Sequence, residues 1–157
     1  MTTDFTVRPA RPADARPLAE MRWMFKQEDH EGQPPAPARP LEEAEHWIHD
    51  RLSDGHWHAW AVETGGEICG HVFLCLVESV PDPYTANTPV GYATNFYVTP
   101  SQRNKGAGSA PLEALKQHSR SSGFDTLIVW PSERSSPLWQ RSGFQPPEEL
   151  LELPLDT

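Results

Sequence analysis

Cysteine, basic charge and long apolar runs are all scarce in this chain. Of its 157 residues only two are cysteine, Cys69 and Cys75. Both fall in one strand-like run, an even number of residues apart, so they share a face but stand too far apart to bond each other. A disulfide framework or a zinc cluster is therefore not expected, and a reducing cytoplasm is the expected compartment. The longest apolar run, residues 72–77, is too short to cross a bilayer. The opening residues lack the apolar core of a signal peptide, which predicts no export and no membrane association. Lys and Arg number 13 against 22 Asp and Glu, a net charge of -9. A nucleic-acid partner would need clustered cations, so that class is disfavoured. The acidity serves solubility and leans towards a cationic acceptor.

What is present suits one domain spanning residues 1–157, long enough to bury a core. Residues 5–8 read as a first strand ended by Pro9. Leu18, Met21, Met24 and Phe25 recur at helical spacing over residues 13–27, with Asp14 as N-cap. Residues 32–40, GQPPAPARP, cannot continue a helix. A second amphipathic helix follows, carrying Leu41, Ala44, Trp47, Ile48 and Leu52. Strands over residues 59–63 and 67–77 flank the turn pair Gly65-Gly66. After another proline-rich loop, residues 90–98 form the next strand. A glycine-containing loop then enters a third helix that runs to about Ser121. A buried strand over residues 126–130, a short helix over 136–141 and a terminal strand near residues 150–153 complete a mixed α/β order.

The loop over residues 103–108, RNKGAG, lies between a strand and a helix. Backbone N–H groups converge at a helix N-terminus, the helix dipole favours negative charge there, and glycine admits a close approach. Arg103 and Lys105 add charge to such a nest. That combination can hold a diphosphate, although a plain strand-to-helix turn has the same look. A phosphate loop would need Gly-Lys-Ser/Thr where Gly108-Ser109-Ala110 stands. A dinucleotide fingerprint would need glycine at Pro111 and an acidic residue where Trp130 and Pro131 stand. If Ser109 caps the third helix, Pro111 falls in its first turn and costs little.

At this point the chain resembles the GCN5-related N-acetyltransferase (GNAT) superfamily. The residues that carry the likeness are Arg103-Asn104-Lys105-Gly106-Ala107-Gly108, placed shortly after Val98, and Gly143-Phe144 closing LIVWPSERSSPLWQRSGF. The opening strand and helix fit as well. The resemblance implies a central twisted mixed sheet of six to seven strands, flanked by four helices and splayed between strands 4 and 5. It implies acetyl transfer from acetyl-CoA to a primary amine of a small molecule or peptide, by direct attack and without a metal. Phe96, Tyr97 and Val98 would hold the pantetheine arm. Arg103, Asn104, Lys105, Gly106, Ala107, Gly108 and Ser109 would hold the diphosphate. Ser132, Ser135 and Trp139 would complete the cofactor side. A homodimer is common among relatives.

The sequence also departs from that pattern. The usual acidic Tyr of the short helix is Trp139, whose indole cannot give up a proton at neutral pH. The usual strand-4 carboxylates are Thr94 and Asn95. Asn95 and Ser132 remain as polar candidates for a catalytic role. Glu28, Asp29 and His30 after the first helix, and Glu78 or Asp82 before the fourth strand, are the candidates for the acceptor side. The same fold serving as an acyl-CoA-binding module, a larger acyl donor, or an RNA- or ribosome-directed acyltransferase are the alternatives. His46 with His49, and His56 with His58, have spacings that could grip a metal, but nothing frames them, and they read as surface residues.

Overall fold

In the computed structural model, which describes residues 4–30, 35–86 and 88–156, a five-stranded sheet has the order β1-β2-β3-β4-β5. The strands are β1 (Thr6–Pro9), β2 (Trp57–Thr64), β3 (Glu67–Val77), β4 (Val90–Val98) and β5 (Thr126–Val129). The helices are α1 (Ala15–Glu28), α2 (Leu41–Asp54), α3 (Ser109–Ser121) and α4 (Ser136–Arg141). The first four strands pair antiparallel with their neighbours. β5, reached through α3, pairs parallel to β4. The mixed α/β sheet flanked by four helices is the expected class. Among the described residues no helix is long and apolar enough to cross a membrane.

The sheet has fewer strands than the six to seven expected. No strand forms near residues 150–153, and Leu150, Leu151, Leu153 and Leu155 all stand exposed. Adjacent Leu150 and Leu151 break the period-two pattern a half-buried strand requires, and Pro154 offers no N–H to a ladder. Asp14 does stand at the N-cap of α1 but does not cap it with its side chain. Its carboxylate turns back to accept the Arg11 N–H at 2.7 Å and pairs with Arg8 at 2.8 Å. Arg8 also reaches Glu63 at 2.8 Å, so the start of α1 is tied to β1 and β2. Hydrogen bonds from Arg8 hold the Asp14 carboxyl below its usual range despite partial burial.

The strand alternation divides the core between two faces. Ala59 and Phe73 point to α1 and α2, where they meet Ala15, Leu18, Ala19 and Ile48. Trp60, Val72, Leu74 and Ala93 point to the opposite face and pack on Leu112 and Leu115 of α3 and Trp139 of α4. Gly91 is required in that second layer. A Cβ there would lie 2.6 Å from Leu127 Cδ2 and 2.8 Å from Phe124 Cδ2.

One irregularity shapes the site. β4 pairs Tyr97 with His71 but Thr94 with Phe73, so β4 carries one more residue than β3 in that interval. The bulge centres on Asn95, at φ 52, a left-handed conformation that asparagine tolerates better than most residues. Fully buried His71 secures it by donating Nδ1–H to the Asn95 carbonyl at 2.7 Å. Burial, reinforced by the nearby Arg22 charge, lowers the His71 pKa to about 4. The folded state therefore binds fewer protons than the unfolded chain below pH 6.5. Stability should fall as the pH drops from about 6.5 towards 4, by roughly 2 kcal/mol at pH 5. Urea denaturation at pH 7 and pH 5 checks this: His71→Leu, with no ring to titrate, should lose most of that pH dependence.

Candidate active site

β4 and β5 pair only through Val90–Ala93 and Thr126–Val129, and beyond Ala93 they part. The second half of β4 therefore presents main-chain groups on its β5 side that no strand covers. Two cavities meet β4 along this stretch, and the Asn95 bulge divides them. One, of about 510 Å³, is lined by Phe96, Tyr97, Val98, the loop after β4, and Ser132, Ser135 and Leu138 beyond β5. The other, of about 470 Å³, is lined by Thr94 and Asn95 together with residues of α1, α2, β2 and β3.

The loop that ends the first cavity has the form of an anion nest. Asn104 at φ 62 and Gly106 at φ 91 are both left-handed, and alternating backbone handedness makes successive N–H groups converge. Among the described residues, no acceptor takes the backbone N–H groups of residues 104–108. The Ala110 N–H bonds the Gly106 carbonyl at 3.3 Å, and Gly108 stands at the N-cap, one residue earlier than expected. Pro111 is consequently in the first turn, where its missing N–H is tolerated, and it is buried. Gly108 lies against the wall of the cavity, and a Cβ there would come 2.8 Å from Leu138 Cδ2 and 3.2 Å from Phe96 Cζ.

Arg103 does not present a bare charge to this nest. Its Nε donates to the Val98 carbonyl at 2.9 Å, and its Nη2 pairs with Glu28 at 2.9 Å. Glu28 also takes Arg134 at 2.6 Å and the Tyr97 hydroxyl. Burial alone would raise the Glu28 carboxyl, but bonds from Tyr97 and Arg103 outweigh it and hold the pKa below the usual range. Tyr97 is pushed up to about 12, first by burial and then by Glu28, so it remains a phenol at any working pH. Phe25 stacks on Tyr97 at 5.3 Å. The end of α1, the end of β4 and the segment after β5 are thus clamped around one carboxylate.

The remaining expected site residues divide. Ser132 and Ser135 come together, Oγ to Oγ at 2.8 Å, on the first cavity. Asn104, Gly106, Gly108 and Ser109 also line it. Lys105 is exposed and lines neither cavity, while Ala107 is fully buried against Val62, Cys69 and Val98. Trp139 is core: its ring meets Phe96 at 5.6 Å and Phe144 at 5.0 Å, edge to face. Glu28, Asp29, His30 and Glu78 line neither cavity. Asp29 pairs with Lys26 at 3.6 Å, and Glu78 lies 3.0 Å from His56. The second cavity instead takes Arg22, Trp23 and Lys26 from α1, Arg39 from just before α2, and Glu43, Trp47 and Ile48 from α2. Arg22 was detectable in the sequence. It sits four residues after Leu18 and three before Phe25, a charge beside the apolar stripe of α1.

Whether this arrangement suits a CoA thioester turns on three observations. The first cavity is lined both by the strand edge at Phe96, Tyr97 and Val98 and by Asn104, Gly106 and Gly108 of the nest. The strand edge offers main-chain donors and acceptors of the kind an amide-containing arm needs. At the bulge the residues lining one cavity give way along β4 to those lining the other, Asn95 on the second and Phe96 on the first. The residues present fit the group.

Comparison with known proteins agrees. A search of the curated proteins returns no match. Among solved structures, a predicted acetyltransferase from Clostridium acetobutylicum, crystallised with acetyl-CoA, superposes with a TM-score of 0.79 at 22% identity, covering 97% of each chain. A GCN5-related N-acetyltransferase from Ralstonia eutropha gives 0.70 at 24% identity, over 96% of this chain and 98% of that one. A ribosomal-protein-alanine N-acetyltransferase from Brucella melitensis gives 0.72 at 16% identity, over 98% and 99%. At these identities the likeness establishes the fold. The family model for acetyltransferases of the GNAT type matches residues 18–144, from α1 through the Gly143-Phe144 motif. With the splayed strands and the loop of free N–H groups already in place, that match over most of the chain makes this protein a member of the acetyltransferase (GNAT) family.

Proposed function

We propose that the protein transfers an acetyl group from acetyl-CoA to a primary amine. The observation that carries this reading is the change of lining along β4 at the Asn95 bulge, from the cavity that ends in the 104–108 nest to a second cavity beside it. Residues 104–108 hold the diphosphate through backbone N–H groups, and Phe96, Tyr97 and Val98 hold the pantetheine arm along the strand edge. Ser132 and Ser135 line the opposite wall. Acetyl-CoA supplies an activated acyl carbon: the amine nitrogen bonds to it, the carbon–sulfur bond breaks, and the sulfur departs with the bonding electron pair. Trp139, enclosed in the core, gives no proton to that sulfur. The departing thiolate takes its proton from solvent or from the newly acylated nitrogen.

Asn95, held by His71 and Arg22, orients the acceptor at the bulge. Of the described residues lining the second cavity only Glu43 is a carboxylate, and it is paired with Arg39 at 3.5 Å. The amine accordingly enters as its neutral fraction. Turnover per unit of substrate, kcat/KM, should rise about tenfold per pH unit up to the amine's own pKa, roughly 8–10 by class of amine. Calorimetry with acetyl-CoA, followed by free-thiol release across a panel of amines, tests the assignment. Donor binding with thiol release that depends on an added amine is the expected result. Donor binding without release from any amine would mark an acyl-CoA-binding module, and failure to bind acetyl-CoA would end the proposal.

A further inference from the structure

The lining of the second cavity conflicts with the charge of the whole molecule. The protein carries a net charge of -9, yet the charged side chains on this cavity are Arg22, Lys26, Arg39 and Glu43. Two of these cations are already answered, Lys26 by Asp29 at 3.6 Å and Arg39 by Glu43 at 3.5 Å. Arg22 is not. Among the described residues its guanidinium has no carboxylate within ion-pair distance, and the charge of Asp29, already paired with Lys26, acts on it only from farther away. Its polar contact is with a neutral group, Nη1 donating to Asn95 Oδ1 at 3.0 Å, and it lies 5.6 Å from the centre of the Phe25 ring.

A half-buried guanidinium without a counter-charge is costly in an apolar setting, and the cost is removed when an anion enters. The setting here is strongly apolar. Trp23, Trp47, Ile48, Trp57 and Phe73 form most of the rest of the wall, beside Thr94 and Asn95, with Trp47 edge-on to Trp57 at 5.0 Å. The planar guanidinium keeps N–H groups free for a bidentate carboxylate. Asn95 joins the two functions geometrically, because it both bonds Arg22 and occupies the bulge that separates the second cavity from Phe96 at the edge of the first. A ligand whose anionic end rests on Arg22 therefore brings only its nearest atoms to that bulge.

Resting on the acetyl-transfer reading above, we infer that the acceptor is an apolar or aromatic amine carrying a carboxylate beside the amine, as in an α-amino acid, with Arg22 as its anion anchor. The carboxylate docks on Arg22, the side chain fills the tryptophan-lined cavity, and the amine faces the Asn95 bulge. A polyamine or a polycationic acceptor would meet unpaired positive charge instead.

The test compares L-phenylalanine with L-phenylalaninamide and phenethylamine as acceptors in the thiol-release assay. In parallel, tryptophan fluorescence reports binding of 3-phenylpropanoate, which carries the carboxylate but no amine. The expected result is a kcat/KM for phenylalanine roughly 10- to 100-fold above its amide and its decarboxylated amine, the range of a charged hydrogen-bonded pair. Arg22→Gln should abolish that preference and weaken 3-phenylpropanoate binding by the same factor, with Arg22→Lys falling between. Calorimetry with acetyl-CoA should read the same for wild type and Arg22→Gln. Equal use of the carboxylate-free amines, or 3-phenylpropanoate binding indifferent to Arg22→Gln, would overturn the inference while leaving acetyl transfer intact. If no amine is turned over, 3-phenylpropanoate binding that depends on Arg22 still supports the anion anchor, and its absence refutes it. Failure of acetyl-CoA itself to bind would strike the acetyl-transfer reading, and the fluorescence result would stand apart from it.

Discussion

Gly108→Val is expected to weaken acetyl-CoA binding about a hundredfold while leaving the chain folded. The backbone at Gly108 rests against Leu138 and Phe96, which a Cβ would approach to 2.8 and 3.2 Å. The tip of Leu138 can yield to one methyl group. Two further branches have nowhere to go, so the start of α3 must lift, at about 1–3 kcal/mol of overpacking. The free N–H groups of residues 104–108 would then no longer converge, and each charge-assisted bond lost is worth about 1.5–3 kcal/mol. Calorimetric titration with acetyl-CoA, alongside a thermal melt, separates the two effects. A folded Gly108→Val protein binding acetyl-CoA within threefold of wild type would remove the loop from the cofactor site.

The largest loss of stability should come from Trp139→Ala, about 3–5 kcal/mol. Trp139 is 2% exposed and locked between Phe96 and Phe144 by edge-to-face contacts. It also ties α4 to the strand residue that walls the first cavity. Trp139→Phe keeps an aromatic ring there and removes the indole N–H. It should lose a third as much stability on volume grounds, roughly 1–2 kcal/mol, and its kcat should stay within about threefold of wild type. Urea denaturation and thiol release measure the pair. A drop in kcat of a hundredfold in a well-folded Trp139→Phe protein would mean the indole takes part in the chemistry, contrary to its place in the core.

These expectations rest on features that differed in how far they were legible before folding. The strands Glu67–Val77 and Val90–Val98 and the helix Ser136–Arg141 have the limits their residue patterns indicate. Each is bounded by chemistry that acts locally, a glycine pair, a proline, or a shift of apolar period. The loop after β4 was equally legible, because phosphate-type nests are built from backbone conformation and a few glycines. The terminal strand was not. Whether a leucine-rich segment becomes a strand depends on a partner edge, and no neighbouring sequence encodes that. The surroundings of Glu28 were illegible for a related reason. Glu28 has the residue type of a base and stands at the end of α1, but folding brings Arg103 and Arg134 to it from 75 and 106 residues away.

The glycine loop, the closing Gly143-Phe144 pair and the order of elements determined the family from sequence alone and marked the loop we propose for the donor, since all three are short-range properties. Tertiary structure decided everything that depends on which distant side chains meet. It turned Arg103 from a free charge into a brace and placed Trp139 in the core. It also left Arg22, among the described residues, with no carboxylate in ion-pair range in a cavity lined by tryptophans. Local sequence specifies backbone geometry over a few residues, whereas the charge balance of a cavity is a sum over several elements that only packing brings together.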